Sequence, residues 1–274
     1  VTKAGGFQGM PGDYIHFNVR TSHFAEGGWG IVRVLDKETA DLKPLPRGTN
    51  PLGIPATPSS VCPADAPVKS FNVVALDRPM KLNPKAPDVI EVDFERKIEM
   101  TMPEGKIFAL EGEATTVSSG ATPHPLTLRA NLGDCIKVNL TNKMKASRAS
   151  FFAPGLAFDP KDSQGLNVGN NGGDQTIGPG EKRQYTYYAH PSNKETTSLV
   201  WDGGNIVVNP RNGLYGAIIV GPRGSQYRDP MTGGDISQKN SWRADVIVDT
   251  TLPENVGKRN YRDVALFFQD EDNI

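Results

Sequence analysis

What most constrains this chain is its rhythm. Short apolar or alternating runs recur along its length, separated by Gly- and Pro-rich turns. No window of ~11 residues carries the i, i+3, i+4, i+7 apolar spacing of an amphipathic helix. Strands are expected at residues 31–35, 70–76 (SFNVVAL), 89–100 (VIEVDFERKIEM) and from Lys106 (KIFALEG). Residues 126–142 (LTLRANLGDCIKVNLTN) read as two strand arms joined at the bend Leu132, Gly133, Asp134. The runs KRQYTYYA, TSLVWD, LYGAIIVG, ADVIVDT and DVALFFQD complete the set. Alternate residues of a strand share a face, so Ile136, Val138 and Leu140 lie on one side and Cys135, Lys137 and Asn139 on the other. Cys135 is therefore expected to point away from the local core. The pattern predicts an all-β protein, a sandwich or a barrel.

With 274 residues the chain can bury one large β domain or two of ordinary size. Its 29 Gly and 22 Pro fit many turns between short strands. A net charge of −1 leaves no basic surplus to neutralise phosphates, so nucleic-acid binding is not expected. No run has the length of a membrane-spanning helix. The opening VTKAGGFQGM has neither an initiator Met nor an apolar signal core, and reads as a mature or internal start. Two cysteines, Cys62 and Cys135, cannot make a Cys-x-x-Cys or zinc-ribbon site. They are either one disulfide, in an oxidising compartment, or two independent buried thiols. Cys62 sits in a Pro-rich segment that must run over a surface, and an outward Cys135 beneath such a segment suits a disulfide.

Two turn-rich stretches with little periodicity divide the chain. Residues 36–67 and 222–241 are expected to be linkers. They separate a strand-turn-strand piece (1–35), a main domain (68–221) and the opening of a further one (242–274). The first and last pieces lack the strands needed to bury their faces, and read as parts of neighbouring domains.

The residues also carry a family resemblance. PLTLRANLGDCIKVNLTN followed by NGLYGAIIVGPRG resembles the cupredoxin domain of a multicopper oxidase, with strands around a Gly-Asp bend and a closing Gly-Leu-Tyr-Gly strand. TIGPGEKRQYTYYA resembles the turn before the family's Tyr-rich strand. GDYIHFNVRTSHFAEGGWGIVRV resembles the final hairpin of another such domain, and VALFFQDEDNI the opening strand of a third. This layout resembles that of the large members of the ceruloplasmin and hephaestin kind and of the bacterial manganese-oxidising members. The resemblance implies a cupredoxin-like Greek-key β-sandwich flanked by incomplete pieces of neighbouring cupredoxin domains.

It also implies where copper ligands should stand. Copper-bearing domains end in His-Cys-His, three residues, His, four residues, and Met or Leu, just before Trp-Gly. Counted back from Trp29 and Gly30, the last position is Gly28, the lone His is His23, and the triplet is Phe17, Asn18 and Val19. Type 1 copper needs a thiolate, which Asn18 cannot supply. Phe17 and Val19 offer no imidazole to a trinuclear cluster. In the main domain SFFAPG (150–155) stands where a His-x-His-Gly is implied, and TSLVWDGGNIVVNPRNG replaces a second His-x-His. Of the implied positions only His23 is kept.

Other candidates read as structural. His16 and His23, seven apart, fall on opposite faces if they share a strand, while a turn between them leaves their placement open, and two His without a third ligand hold zinc or copper poorly. His124 and His190 each precede a proline and read as loop residues. DEDNI (270–274), DGGN (202–205) and NNGGD (170–174) offer oxygens suited to Ca²⁺ or Mn²⁺, and equally make a solvated strand end and tight turns. The sequon at Asn139 lies within an expected strand. Phe151, Phe152, Tyr185, Tyr187 and Tyr188 read as core rather than as a ligand groove. No phosphate loop, nucleophile elbow or catalytic Cys/His spacing is present.

The expected function is therefore a copper-free structural cupredoxin segment of a large secreted multicopper oxidase-like protein, located extracellularly, in a periplasm or at the cell surface. It has no catalytic, cofactor-binding or metal-binding residues of its own. Copper is expected in other domains of the parent, and its partners are those domains. The resemblance implies a parent that oxidises Mn²⁺, Fe²⁺ or a small reductant while reducing O₂ to water. The alternative is a stand-alone binding or structural protein that has lost its copper sites, and a third reading is an enzyme with a new metal site at His16, His23 or the terminal acids.

Overall fold

The structure, a computed structural model, describes residues 5, 8–18, 21–37, 60–81, 91–93, 96–97, 101–118 and 124–268. Strands β1 (Gly12–Phe17) and β2 (Trp29–Val34) pair antiparallel, from Gly12 opposite Val34 to Phe17 opposite Trp29. A short helix, Thr21–Ala25, lies in their connection. Next come β3 (Val68–Asp77), β4 (Met80–Lys81), β5 (Glu91–Asp93), β6 (Arg96–Lys97), β7 (Thr101–Met102) and β8 (Lys106–Leu110). They are followed by β9 (Leu126–Asn131), β10 (Cys135–Asn142), β11 (Ala157–Phe158), β12 (Lys182–Tyr188), β13 (Thr196–Trp201) and β14 (Tyr215–Gly221). The last three are β15 (Gln226–Arg228), β16 (Arg243–Ile247) and β17 (Tyr261–Val264).

Two sheets make the main body, one ordered β11-β12-β10-β3-β8 and one ordered β13-β14-β9. The chain changes sheet between β8 and β9, again between β9 and β10, and again between β12 and β13. The β10–β3 and β14–β9 pairs are parallel, and the other pairs antiparallel. This is the expected all-β sandwich of two sheets. The two arms of residues 126–142 belong to opposite sheets, so the bend between them is a corner of the sandwich. Gly133 takes φ +91° there, a conformation that favours glycine. Asp134 closes the corner, its carboxylate accepting from Asn131 N at 2.8 Å.

The apolar alternation of β10 becomes the core. Ile136, Val138 and Leu140 are fully buried against Phe71 and Val73 of β3, Leu126 and Leu128 of β9, Tyr185 and Tyr187 of β12 and Ile218 of β14. Cys135 stands outside that core cluster, as its parity on β10 expects, and is buried because the segment before β3 crosses over it. Cys62 and Cys135 form a disulfide with Cα atoms 5.6 Å apart, and Cys135 N donates to Pro67 O at 2.8 Å.

Where one strand is expected over 89–100, the described residues form two, 91–93 and 96–97. β5 and β6 fold back on each other, placing Glu91 opposite Lys97 and Asp93 opposite Arg96. The turn-rich stretch 222–241 contributes β15, which pairs with β16, and β16 pairs with β17. This third sheet has its own small core of Tyr227, Ile236, Ala244, Val246 and Val248. It is fastened to the sandwich by the Tyr227 hydroxyl, which donates to Ala130 O at 2.6 Å. Arg129 adds a second fastening, donating to Asp263 at 2.6 and 3.3 Å and to Ser241 O at 2.5 Å.

Candidate functional site

Three of the stretches where copper ligands are implied meet in space, at Phe17, Phe152 and Trp201, through aromatic residues. Phe17, at the end of β1, meets Trp201 of β13 edge-on with ring centroids 6.2 Å apart. Phe24 of the short helix meets Phe17 at 5.9 Å and stacks on Trp29 at 6.0 Å. Phe152 and Trp201 exchange backbone hydrogen bonds of 3.0 and 2.9 Å, so the SFFAPG loop and β13 lie side by side. Phe152 is 2% exposed and packs edge-on against Phe158 at 5.7 Å. Phe158 in turn touches Tyr14 of β1 and Tyr187 of β12. The junction between hairpin and sandwich is thus filled by apolar rings, and such edge-on contacts contribute about 0.5–1.5 kcal/mol each beyond burial.

The residues present do not fit copper. Both cysteines of the chain are joined in one disulfide, so neither provides the thiolate of a type 1 centre. His16 is exposed on β1 opposite Gly30, while His23 is half-buried in the short helix. They stand on different elements rather than on two faces of one strand. Among the described residues no group of three or more His, Cys, Asp or Glu side chains is placed to hold a metal ion. Val19 and residues 270–274 lie outside the described residues.

The two Gly/Asn/Asp turns are closed by their own hydrogen bonds. Asp202 is fully buried. Its Oδ1 accepts from Ser150 N at 2.7 Å, and its Oδ2 from Asn205 N at 2.9 Å and Asn209 Nδ2 at 2.8 Å. Ser150 Oγ accepts from Gly203 N at 2.7 Å. The carboxyl group therefore ties the SFFAPG loop to the DGGN turn, with N–H donors where Ca²⁺ would need its six to eight oxygen ligands. In the NNGGD turn, hydrogen bonds from Asn167 and Thr176, with the Arg148 charge beside it, hold the Asp174 carboxyl down at about 2.

Burial pushes the Asp202 carboxyl up from its ordinary 3.8 to about 6, against the lowering effect of its N–H donors. A carboxyl raised on folding stabilises most below the unfolded value. That contribution is lost as pH rises through the folded one. The gap from 3.8 to about 6 corresponds to about 3 kcal/mol. In urea unfolding, stability of the wild type minus that of Asp202→Asn is expected to fall by up to that amount between about pH 4 and pH 6, then level off. A difference curve that is flat from pH 4 to 6 contradicts this.

The remaining candidates are structural. His190 Nδ1 accepts from Ser192 N at 3.1 Å and caps a short turn, and burial lowers the imidazole's pKa. His124 Nδ1 lies 3.1 Å from Pro125 O. The Tyr185 and Tyr187 hydroxyls donate to Gln175 O and Phe151 O, both at 2.6 Å, deep in the core. Asn139 Nδ2 donates to Asn72 Oδ1 at 3.0 Å, and Asn139 Oδ1 accepts from Gln184 at 2.8 Å, both across the sheet. Sequence reasoning missed Asp13, Arg129 and the depth of Asp202. Arg129 alternates with Leu128 and Ala130 and so reads as a solvated position. Nothing local signals that a third sheet covers it.

The class these strands define is an all-β, two-sheet sandwich. No family model and no curated protein matches the chain. Among solved structures it is similar to the multi-copper oxidase from Pseudomonas thermotolerans, at 16% identity and a TM-score of 0.37, over 58% of this chain and 30% of that one. It is also similar to a structure described as a multicopper oxidase (22%, 0.39, over 57% and 43%). A third is the copper nitrite reductase from Nitrosomonas europaea (18%, 0.37, over 57% and 42%). The matched region spans less than half the length of each.

Proposed function

We propose that this chain is a copper-free, structural cupredoxin module of a multicopper oxidase-like protein. The parent oxidises a metal ion such as Mn²⁺ or Fe²⁺, or a small reductant, with reduction of O₂ to water, and carries its copper in other domains. The observation that carries this reading is the aromatic closure at Phe17, Phe152 and Trp201. The resemblance implies imidazoles converging from two domains there, and apolar rings converge instead. The role left to these residues is packing. They bury the hairpin's inner face on the sandwich, exclude water from the junction and fix the spacing of what lies on either side. The Cys62–Cys135 disulfide supports an oxidising location, whether extracellular, periplasmic or at the cell surface. Those other domains are its proposed partners.

An oxygen electrode tests the reading. The chain is loaded with Cu²⁺, desalted, and given Fe²⁺, Mn²⁺ or a phenol. O₂ uptake equal to that of the chain never given copper is the expected result. Turnover that depends on copper retained by the chain overturns it.

A further inference from the structure

The outer edge of β1 is held by side-chain amides rather than by a third strand. Gln164 Oε1 accepts from Ile15 N at 3.2 Å, and Gln164 Nε2 donates to Asp13 O at 3.1 Å. Asn171 repeats the pattern one step along, with Oδ1 accepting from Asp13 N at 2.7 Å and Nδ2 donating to Asp13 O at 2.8 Å. Two amide side chains thus stand in for the peptide groups of a neighbouring strand, and they occupy an edge that would otherwise stay open. The Asp13 side chain, 2% exposed, points into the same loop. Its carboxylate accepts from Asn170 N at 2.6 Å and from Arg33 Nε and Nη2 of β2 at 2.6 and 2.8 Å.

The loop that receives Asp13 is itself braced. Gln175, 1% exposed, accepts through Oε1 from Gln164 N at 2.8 Å and Gly165 N at 3.0 Å, and donates to Pro160 O at 2.7 Å. Gly169 lies so close to the Asp13 carboxylate that a Cβ there would collide with it. The contact is a fitted one, formed by residues more than 150 positions apart in the chain.

We infer that the loop carrying Gln164, Asn170 and Asn171 is a receptor for a β-strand edge bearing a carboxylate, and that Asp13 docked in it sets the orientation of the hairpin on the sandwich. The aromatic contact of Phe17 with Trp201 holds the far end of the same strand, four residues or roughly 13 Å away. Tyr14 packs on Phe158 between them, and attachments at both ends of one strand fix its angle. The aromatic end is non-directional, so the polar end determines register. This rests on the packing-module reading and names the surface through which that packing is oriented. Asp13 is a positioning residue.

Hydrogen exchange of the full chain under native conditions tests it. In Asp13→Asn the carboxamide turns an N–H toward groups that are themselves donors and loses the charge that pairs with Arg33. The amides of β1 and β2 are expected to exchange about tenfold to a hundredfold faster, while those of Ile136, Val138 and Leu140 in β10 stay within about twofold of wild type. Asn171→Ala removes one of the receptor's two amides and leaves Asp13 intact. It is expected to speed the hairpin alone by about tenfold. Unchanged hairpin exchange in either variant overturns the inference. So does equal acceleration of hairpin and β10, which would make these residues general stabilisers. Retained copper or oxidase activity is read separately, so failure of the packing-module reading is distinguishable from failure of the lock.

Discussion

Arg129→Ala is expected to cost roughly 3–5 kcal/mol of stability, the usual consequence of removing one partner of a buried ion pair. The guanidinium is 1% exposed and meets the Asp263 carboxylate at 2.6 Å, with that carboxylate 15% exposed. Without Arg129, Asp263 keeps its charge in a covered position, and Ser241 O loses a donor. For a chain of this size the loss corresponds to a fall in Tm of about 6–20 °C. Arg129→Lys does not rescue it fully, because an ammonium cannot reproduce the forked contact with the two Asp263 oxygens and Ser241 O. The damage should appear first in β15–β17, which Arg129 and Tyr227 fasten to the sandwich. Calorimetry that places Arg129→Ala within 1 °C of wild type would show that the third sheet is held by other contacts.

Opening the disulfide is the second large effect. Cys62 and Cys135 are 73 residues apart, and the loop they close contains β3 through β9. Loop-closure entropy for that length gives about 4 kcal/mol. Urea unfolding of the reduced chain, or of the chain with both cysteines changed to Ala, is expected to show a loss near that figure. The urea dependence should steepen as the unfolded state expands. A loss below about 1 kcal/mol would mean that the oxidised chain carries offsetting strain or that the reduced unfolded state stays compact.

How much of this was legible in the sequence depends on the range of the interaction. The alternation in β10, the glycine corner at Gly133 and the Pro- and Gly-rich breaks are local signals, and they placed the sandwich. Cys135 keeps the outward face that parity assigns it, but strand parity says which face a residue takes and not what covers that face. Arg129 reads as solvated for the same reason. Asp13 gave no signal and Asn171 only that of its NNGGD turn, since a carboxylate after a glycine and an Asn before two glycines are ordinary turn chemistry. Their meaning comes from contact across more than 150 residues. At the candidate site, the identities of Phe17, Asn18 and the SFFAPG run were readable, while the contact of Phe17 with Trp201 needed the fold.

The central claim is that these residues pack where copper ligands are implied. Elemental analysis tests it most directly, on wild type and His23→Ala, each loaded with Cu²⁺ and dialysed exhaustively. The account predicts far less than one copper per chain in both and no difference between them, because a single surviving imidazole cannot hold the ion. One copper per chain in the wild type, lost on His23→Ala, would contradict it.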